Sequence, residues 1–269
     1  MASRGLVQDR WSLVTLALLS LITLIAWTTV IMQASSMAMT NSADDRMADE
    51  IGSLVTPAAL VAFVAAWSVM MAAMMLPSAT PMILLYRNAS RGQRQAGRAL
   101  GRTWIFVFGY LVVWAAIGIP VYIASQSARL AIRANDQLAP SIPYAIAVVL
   151  ALAGAYQFTP LKRVCLRTCQ SPLAFLMGRW KPGRWGAFRM GTEHAMYCAG
   201  CCWGLMVVLV AAGAMGLAWV LLIALVIAAE KLISQSRWPV LITGSALLGL
   251  AILIAIQPVV ALVLRGGMM

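Results

Sequence analysis

The residues of this 269-residue sequence that could carry chemistry are few, and they lie in two short segments. The sequence has five cysteines and one histidine. On a helix, His194, Cys198 and Cys201 would share one face, because residues three and four positions apart are neighbours. Thiolate and imidazole groups suit soft or borderline ions such as Cu(I) or Zn(II). We therefore predict a copper or zinc ion held by ligands from this set: Cys165, Cys169, His194, Cys198, Cys201 and Cys202.

Methionines supply a second group of soft donors. Met71, Met74 and Met75 crowd one short segment that also contains Pro77 and Pro81. A thioether binds Cu(I) without losing a proton, so these three methionines are predicted as secondary contacts to the ion. The alternative is that they only fill the core, since methionine adapts to irregular gaps. We expect the two prolines to kink or end their helix.

Membrane-spanning helices must position these side chains. The sequence is 62% hydrophobic and 10% charged, whereas soluble proteins carry roughly 45–50% apolar and about 25% charged residues. A water-soluble enzyme is thereby excluded. A spanning helix needs about 20 mainly apolar residues. We predict an all-α bundle that forms a single integral membrane domain over 1–269, with about seven spans near 11–32, 57–86, 103–124, 141–158, 194–212, 216–234 and 238–262.

The basic residues indicate the orientation of this bundle. With a cytoplasmic N-terminus, 16 of the 20 basic residues fall on the cytoplasmic side, as the positive-inside rule requires. The net charge of +12 thus has a topological explanation. The predicted partner is the lipid bilayer, with subunits of a membrane complex as a further option, and no nucleic acid. Both cysteine segments lie on the cytoplasmic side, where thiols stay reduced, so disulfides are not expected.

Glu193 and Glu230 are the carboxylates nearest the membrane core. An ionisable group at that depth is costly unless it is paired, so each is a functional candidate. The alternative is an interfacial position or a salt bridge to a neighbouring helix.

Three motifs of the sequence are distinctive: Ala73-Met-Met-Leu-Pro-Ser-Ala-Thr-Pro81, Tyr156-Gln-Phe-Thr-Pro-Leu-Lys162 with its two following cysteines, and His194 with Gly200-Cys-Cys-Trp-Gly-Leu-Met206. Together they resemble a bacterial family of predicted metal-binding integral membrane proteins. The resemblance runs from the second predicted span to Lys231. It implies a multi-pass protein of the bacterial inner (plasma) membrane with a metal site at the cysteines and the histidine.

Two classes of function follow from these observations, with a third as a check. The leading hypothesis is a protein that binds, delivers or transports a thiophilic ion such as copper, which requires no catalysis. The alternative is a membrane oxidoreductase, or an accessory subunit of one, that uses the same residues as a redox centre. The third is an assembly partner whose cysteines only pack. No Gly-x-x-x-x-Gly-Lys loop for ATP is present, so any transport would be driven by a gradient or a partner.

Overall fold

The computed structural model describes residues 10–40, 56–90, 96–135, 140–211, 217–233 and 237–260. Within these ranges the chain is helical and has no strand, which confirms the predicted all-α class. The described helices, numbered along the chain, are α1 (Arg10–Thr40), α2 (Pro57–Ala89), α3 (Ala96–Ala134), α4 (Ile142–Gln157), α5 (Pro160–Gln170), α6 (Pro172–Arg179), α7 (Gly183–Ala211), α8 (Leu217–Leu232) and α9 (Trp238–Ile256).

The number of possible membrane spans differs from the predicted seven. Among the described residues, five helices are long and apolar enough to cross a membrane, namely α1, α2, α3, α7 and α9. The bent pair α4 and α5 would make a sixth. A helix does occupy the sixth predicted span, but α8 has only 16 residues and ends one residue after Glu230-Lys231. Parts of the last three predicted spans, at 212, 216, 234, 261 and 262, lie outside the described residues.

The break between α4 and α5 has a local cause. Thr159 precedes Pro160, and a residue before proline is disfavoured in the helical conformation; its ψ is 149°. The Thr159 hydroxyl then caps α5 by accepting a hydrogen bond from the Lys162 backbone N–H at 3.3 Å. The chain turns by 63°. This turn directs α5 along α7, so that the first cysteine segment packs beside the second.

Helix α2 continues through Pro77 and Pro81 to Ala89. The sequence predicts that these prolines kink or end the helix, and neither of them ends it. Proline removes a backbone donor and frees a carbonyl one turn earlier. Two side chains next to the prolines bond back to the helix: Ser78 to the Met75 carbonyl at 3.0 Å and Thr80 to the Leu76 carbonyl at 2.9 Å. The helix is continuous, and Met71, Met74, Met75 and Met82 on it are buried.

Helix α7 lies at the centre of the packing. It packs most extensively on α3 and also contacts α4, α5 and α8. Glycines allow the closest approach of α3 and α7: a Cβ at Gly109 would lie 2.5 Å from the Phe188 carbonyl oxygen, and one at Gly191 would clash with the Phe106 carbonyl. Small residues at such crossings are typical of membrane helix pairs. The largest buried cluster surrounds this crossing and contains the second cysteine segment.

Candidate functional site

Cys198 is the side chain around which the candidate site is built. It lies on α7 and is 1% exposed. Its sulfur is 3.0 Å from the Lys231 ammonium and 3.0 Å from the Tyr110 hydroxyl. Its backbone carbonyl accepts from the thiols of Cys201 and Cys202, each at 3.0 Å. Those two thiols are therefore engaged by the helix backbone, whereas the Cys198 sulfur faces other side chains.

Helix α5 brings a further thiol to this point. The Cys169 sulfur lies 3.9 Å from that of Cys201 and also makes a side-chain contact with Cys198. Cys165 lies one turn earlier and packs against Gly200, where an added Cβ would be 2.8 Å from its sulfur. The described structure therefore groups Cys169, Cys198, Cys201 and Cys202, with Cys165 at the edge of the group beside Cys201.

His194 is 3% exposed and sits among the rings of Phe106, Tyr110 and Phe175. Its Nδ1 has no hydrogen-bond partner among the described residues. A cavity of about 150 Å³ is lined by His194, Cys169, Cys198 and Lys231, together with Ser78 and six neighbouring residues. A buried polar atom without a partner is costly, and the His194 side chain that carries it lines the same cavity as Cys169 and Cys198.

The predicted methionine contacts are all buried, but only one has a described polar contact at the site. The Met75 sulfur lies 3.6 Å from the Lys231 ammonium. Met71 and Met74 belong to the same apolar cluster as Cys198. Their positions are compatible with core filling as well as with secondary contact to an ion.

Lys231 and Tyr110 are site residues that the sequence analysis did not identify, and Lys231 was counted there among the 16 cytoplasmic basic residues. Lys231 is 6% exposed, and its ammonium donates to Cys198, Met75 and Ser78. A signal was present: Val220, Ala224, Ile227 and Lys231 are spaced four, three and four residues apart, and all are buried. That spacing places the lysine on the inward stripe of α8. Tyr110 similarly continues the buried stripe of Phe106 and Val107 on α3.

Both candidate carboxylates are paired. Glu193 binds Lys181, with Arg179 at 3.5 Å and Arg189 at 3.4 Å. Glu230 accepts from buried Lys162 at 2.6 Å, and Lys162 also donates to Gln157. Since Lys162 is on α5 and Glu230 on α8, this salt bridge joins the two helices. The salt-bridge alternative therefore describes both residues in the structure.

The arrangement offers soft donors for a small ion. All five cysteines are free thiols, so none is consumed by a disulfide. Within the described part of the chain, no three His, Cys, Asp or Glu side chains stand in a geometry that could hold a metal ion. Two cysteines that line one cavity could still bind an ion that needs few ligands, whereas structural zinc sites use four. The predicted ligand set as a whole remains a prediction.

Comparison with known protein families identifies the general class to which this protein belongs. The sequence model of a family described as a copper chaperone, PpoB2, matches residues 64–254. This chain belongs to that copper chaperone family. The matched region contains every predicted ligand, and membership supports the expected connection with metals and with copper in particular. No curated protein and no solved structure matches this copper chaperone family member.

Proposed function

We propose that this protein binds Cu(I) between the thiolates of Cys169 and Cys198 and passes it to an acceptor, as a multi-pass protein of the bacterial inner membrane. The observation that supports it most directly is that Cys169 on α5 and Cys198 on α7 line one cavity. Membership of a copper chaperone family supports the choice of ion. Thiolate sulfur favours Cu(I) over hard ions such as Mg²⁺ and Ca²⁺.

The two thiols have different surroundings, which suggests an order for ion exchange. Cys198 is buried, whereas Cys169 is partly exposed. Thiolate exchange on a soft ion requires access for the incoming ligand. An acceptor thiol would therefore reach the ion from the Cys169 side, while Cys198 holds it until transfer. His194, which lines the same cavity, would stabilise the ion during exchange.

Copper binding by the purified protein tests this proposal. The full-length protein is loaded anaerobically with Cu(I) and desalted against a weak chelator, and copper per chain is measured. Wild type should retain about one ion, while Cys198→Ser and Cys169→Ser should each lose most of it, because hydroxyl oxygen is a poor ligand for Cu(I).

Cys165→Ser is the matched control, since it removes a thiol one turn away on the same helix. It should bind copper as wild type does. Equal copper contents in wild type and Cys198→Ser would contradict the proposal. If only Cys165→Ser lost its copper, the ligand on α5 would be Cys165, one turn before Cys169.

A further inference from the structure

Lys231 is a buried cation without a carboxylate partner in the described structure. Its ammonium lies 3.0 Å from the Cys198 sulfur, 3.3 Å from the Ser78 hydroxyl and 3.6 Å from the Met75 sulfur. The two described carboxylates are Glu193 and Glu230, and they pair with other basic residues. A buried charge is tolerated when something compensates it. At Lys231 the only described group that can become an anion in direct contact is the Cys198 thiol.

Counting charges shows what such a lysine does to an ion at this site. Cysteines bind metals as thiolates, so Cys169 and Cys198 contribute two negative charges. The ammonium cancels one of them, and a monovalent ion cancels the other. A divalent ion would leave one net positive charge in an interior that solvates charge poorly. The nearby pair of Lys162 and Glu230 is neutral in itself and does not alter the count.

We infer that Lys231 determines the charge of the ion that this site accepts, selecting soft monovalent cations over soft divalent ones. The inference rests on the proposed function, because it takes the two thiolates as the ligands. The preference comes from electrostatics and not from ligand softness. It therefore distinguishes ions that bind sulfur equally readily but differ in charge.

Ag(I) and Cd(II) are suitable probes, since both are thiophilic and they differ in charge. Their affinities for the full-length protein are measured by competition against a calibrated chelator. Wild type should prefer Ag(I). In Lys231→Met, which keeps the length and removes the charge, the ratio of Ag(I) to Cd(II) affinity should fall by at least about tenfold, since a nearby unit charge is worth more than that in a protein interior. Lys231→Arg should keep the wild-type preference.

Lys181→Met is the matched control, because it removes the same charge from the Glu193 salt bridge. The ratio of Ag(I) to Cd(II) affinity in Lys181→Met should equal that of wild type. An unchanged ratio in Lys231→Met would overturn charge selection while leaving the copper site intact. Wild type that binds Cd(II) as tightly as Ag(I) would overturn it without any variant, so the test does not depend on the folding of Lys231→Met. Wild type that binds neither Ag(I) nor Cu(I) would instead overturn the proposed function.

Discussion

At the scale of single residues, buried polar contacts hold α5 in place. Lys162 is fully buried, and it donates to Glu230 on α8 and to Gln157 at the end of α4. Gln170, at the other end of α5, donates to the Glu230 backbone carbonyl at 2.7 Å. Both ends of the short helix that carries Cys169 are thus attached to the bundle. The position of this thiol relative to Cys198 depends on those contacts.

Replacing Lys162 with methionine should destabilise the protein, because it leaves the Glu230 carboxylate buried and unpaired. Breaking one partner of a buried pair costs about 3–5 kcal/mol. Thermal unfolding of the detergent-solubilised protein should show a lower midpoint for Lys162→Met and partial recovery in Lys162→Met/Glu230→Gln. Lys181→Met, at a more exposed pair, should change the midpoint little, since such pairs contribute about 0–1 kcal/mol. If Lys162→Met/Glu230→Gln unfolds at the same midpoint as Lys162→Met, or at a lower one, the destabilisation does not come from an unpaired Glu230 carboxylate.

At the scale of helices, the crossing of α3 and α7 fixes the site. Gly191 lies three residues before His194, and the backbone of α3 is too close to admit a side chain there. Gly191→Ala should therefore push the helices apart, lowering the unfolding midpoint and weakening Cu(I) binding. Gly101→Ala, on an open part of α3, should leave both unchanged or raise the midpoint slightly, because alanine is the better helix former. If Gly191→Ala and Gly101→Ala had the same unfolding midpoint and the same Cu(I) affinity, the close approach of α3 and α7 would be unimportant for both properties.

The sequence predicted the helices better than their ends and contacts. Helical spacing grouped His194, Cys198 and Cys201, and all three are buried on α7. It did not predict that α5 is a separate helix inclined by 63° to α4, because hydropathy does not contain the direction that the chain takes after a break before proline. Charge counting likewise placed Lys231 among the cytoplasmic basic residues and did not predict its burial. The structure differs because the apolar stem of a lysine can be buried when its ammonium finds partners from other helices.

At the scale of the whole molecule, thiol labelling measures the orientation that the basic residues predict. Ser127, at the far end of α3, and Gly178, on α6, are both exposed, and the distribution of basic residues predicts that they lie on opposite faces of the membrane. Single Ser127→Cys and Gly178→Cys variants are treated with a membrane-impermeant thiol reagent in intact cells, with wild type as the blank. Ser127→Cys should react at once and Gly178→Cys only after permeabilisation. The reverse pattern would contradict the predicted topology.

The most direct test of the copper site is X-ray absorption at the copper edge, measured on the Cu(I)-loaded wild-type protein and on Cys198→Ser. Coordination by Cys169 and Cys198 predicts a sulfur-dominated first shell in wild type that loses sulfur in the variant. Cys165→Ser should give the wild-type spectrum. A first shell of nitrogen and oxygen only, or sulfur ligation that is the same in wild type and Cys198→Ser, would contradict a copper site built on Cys198.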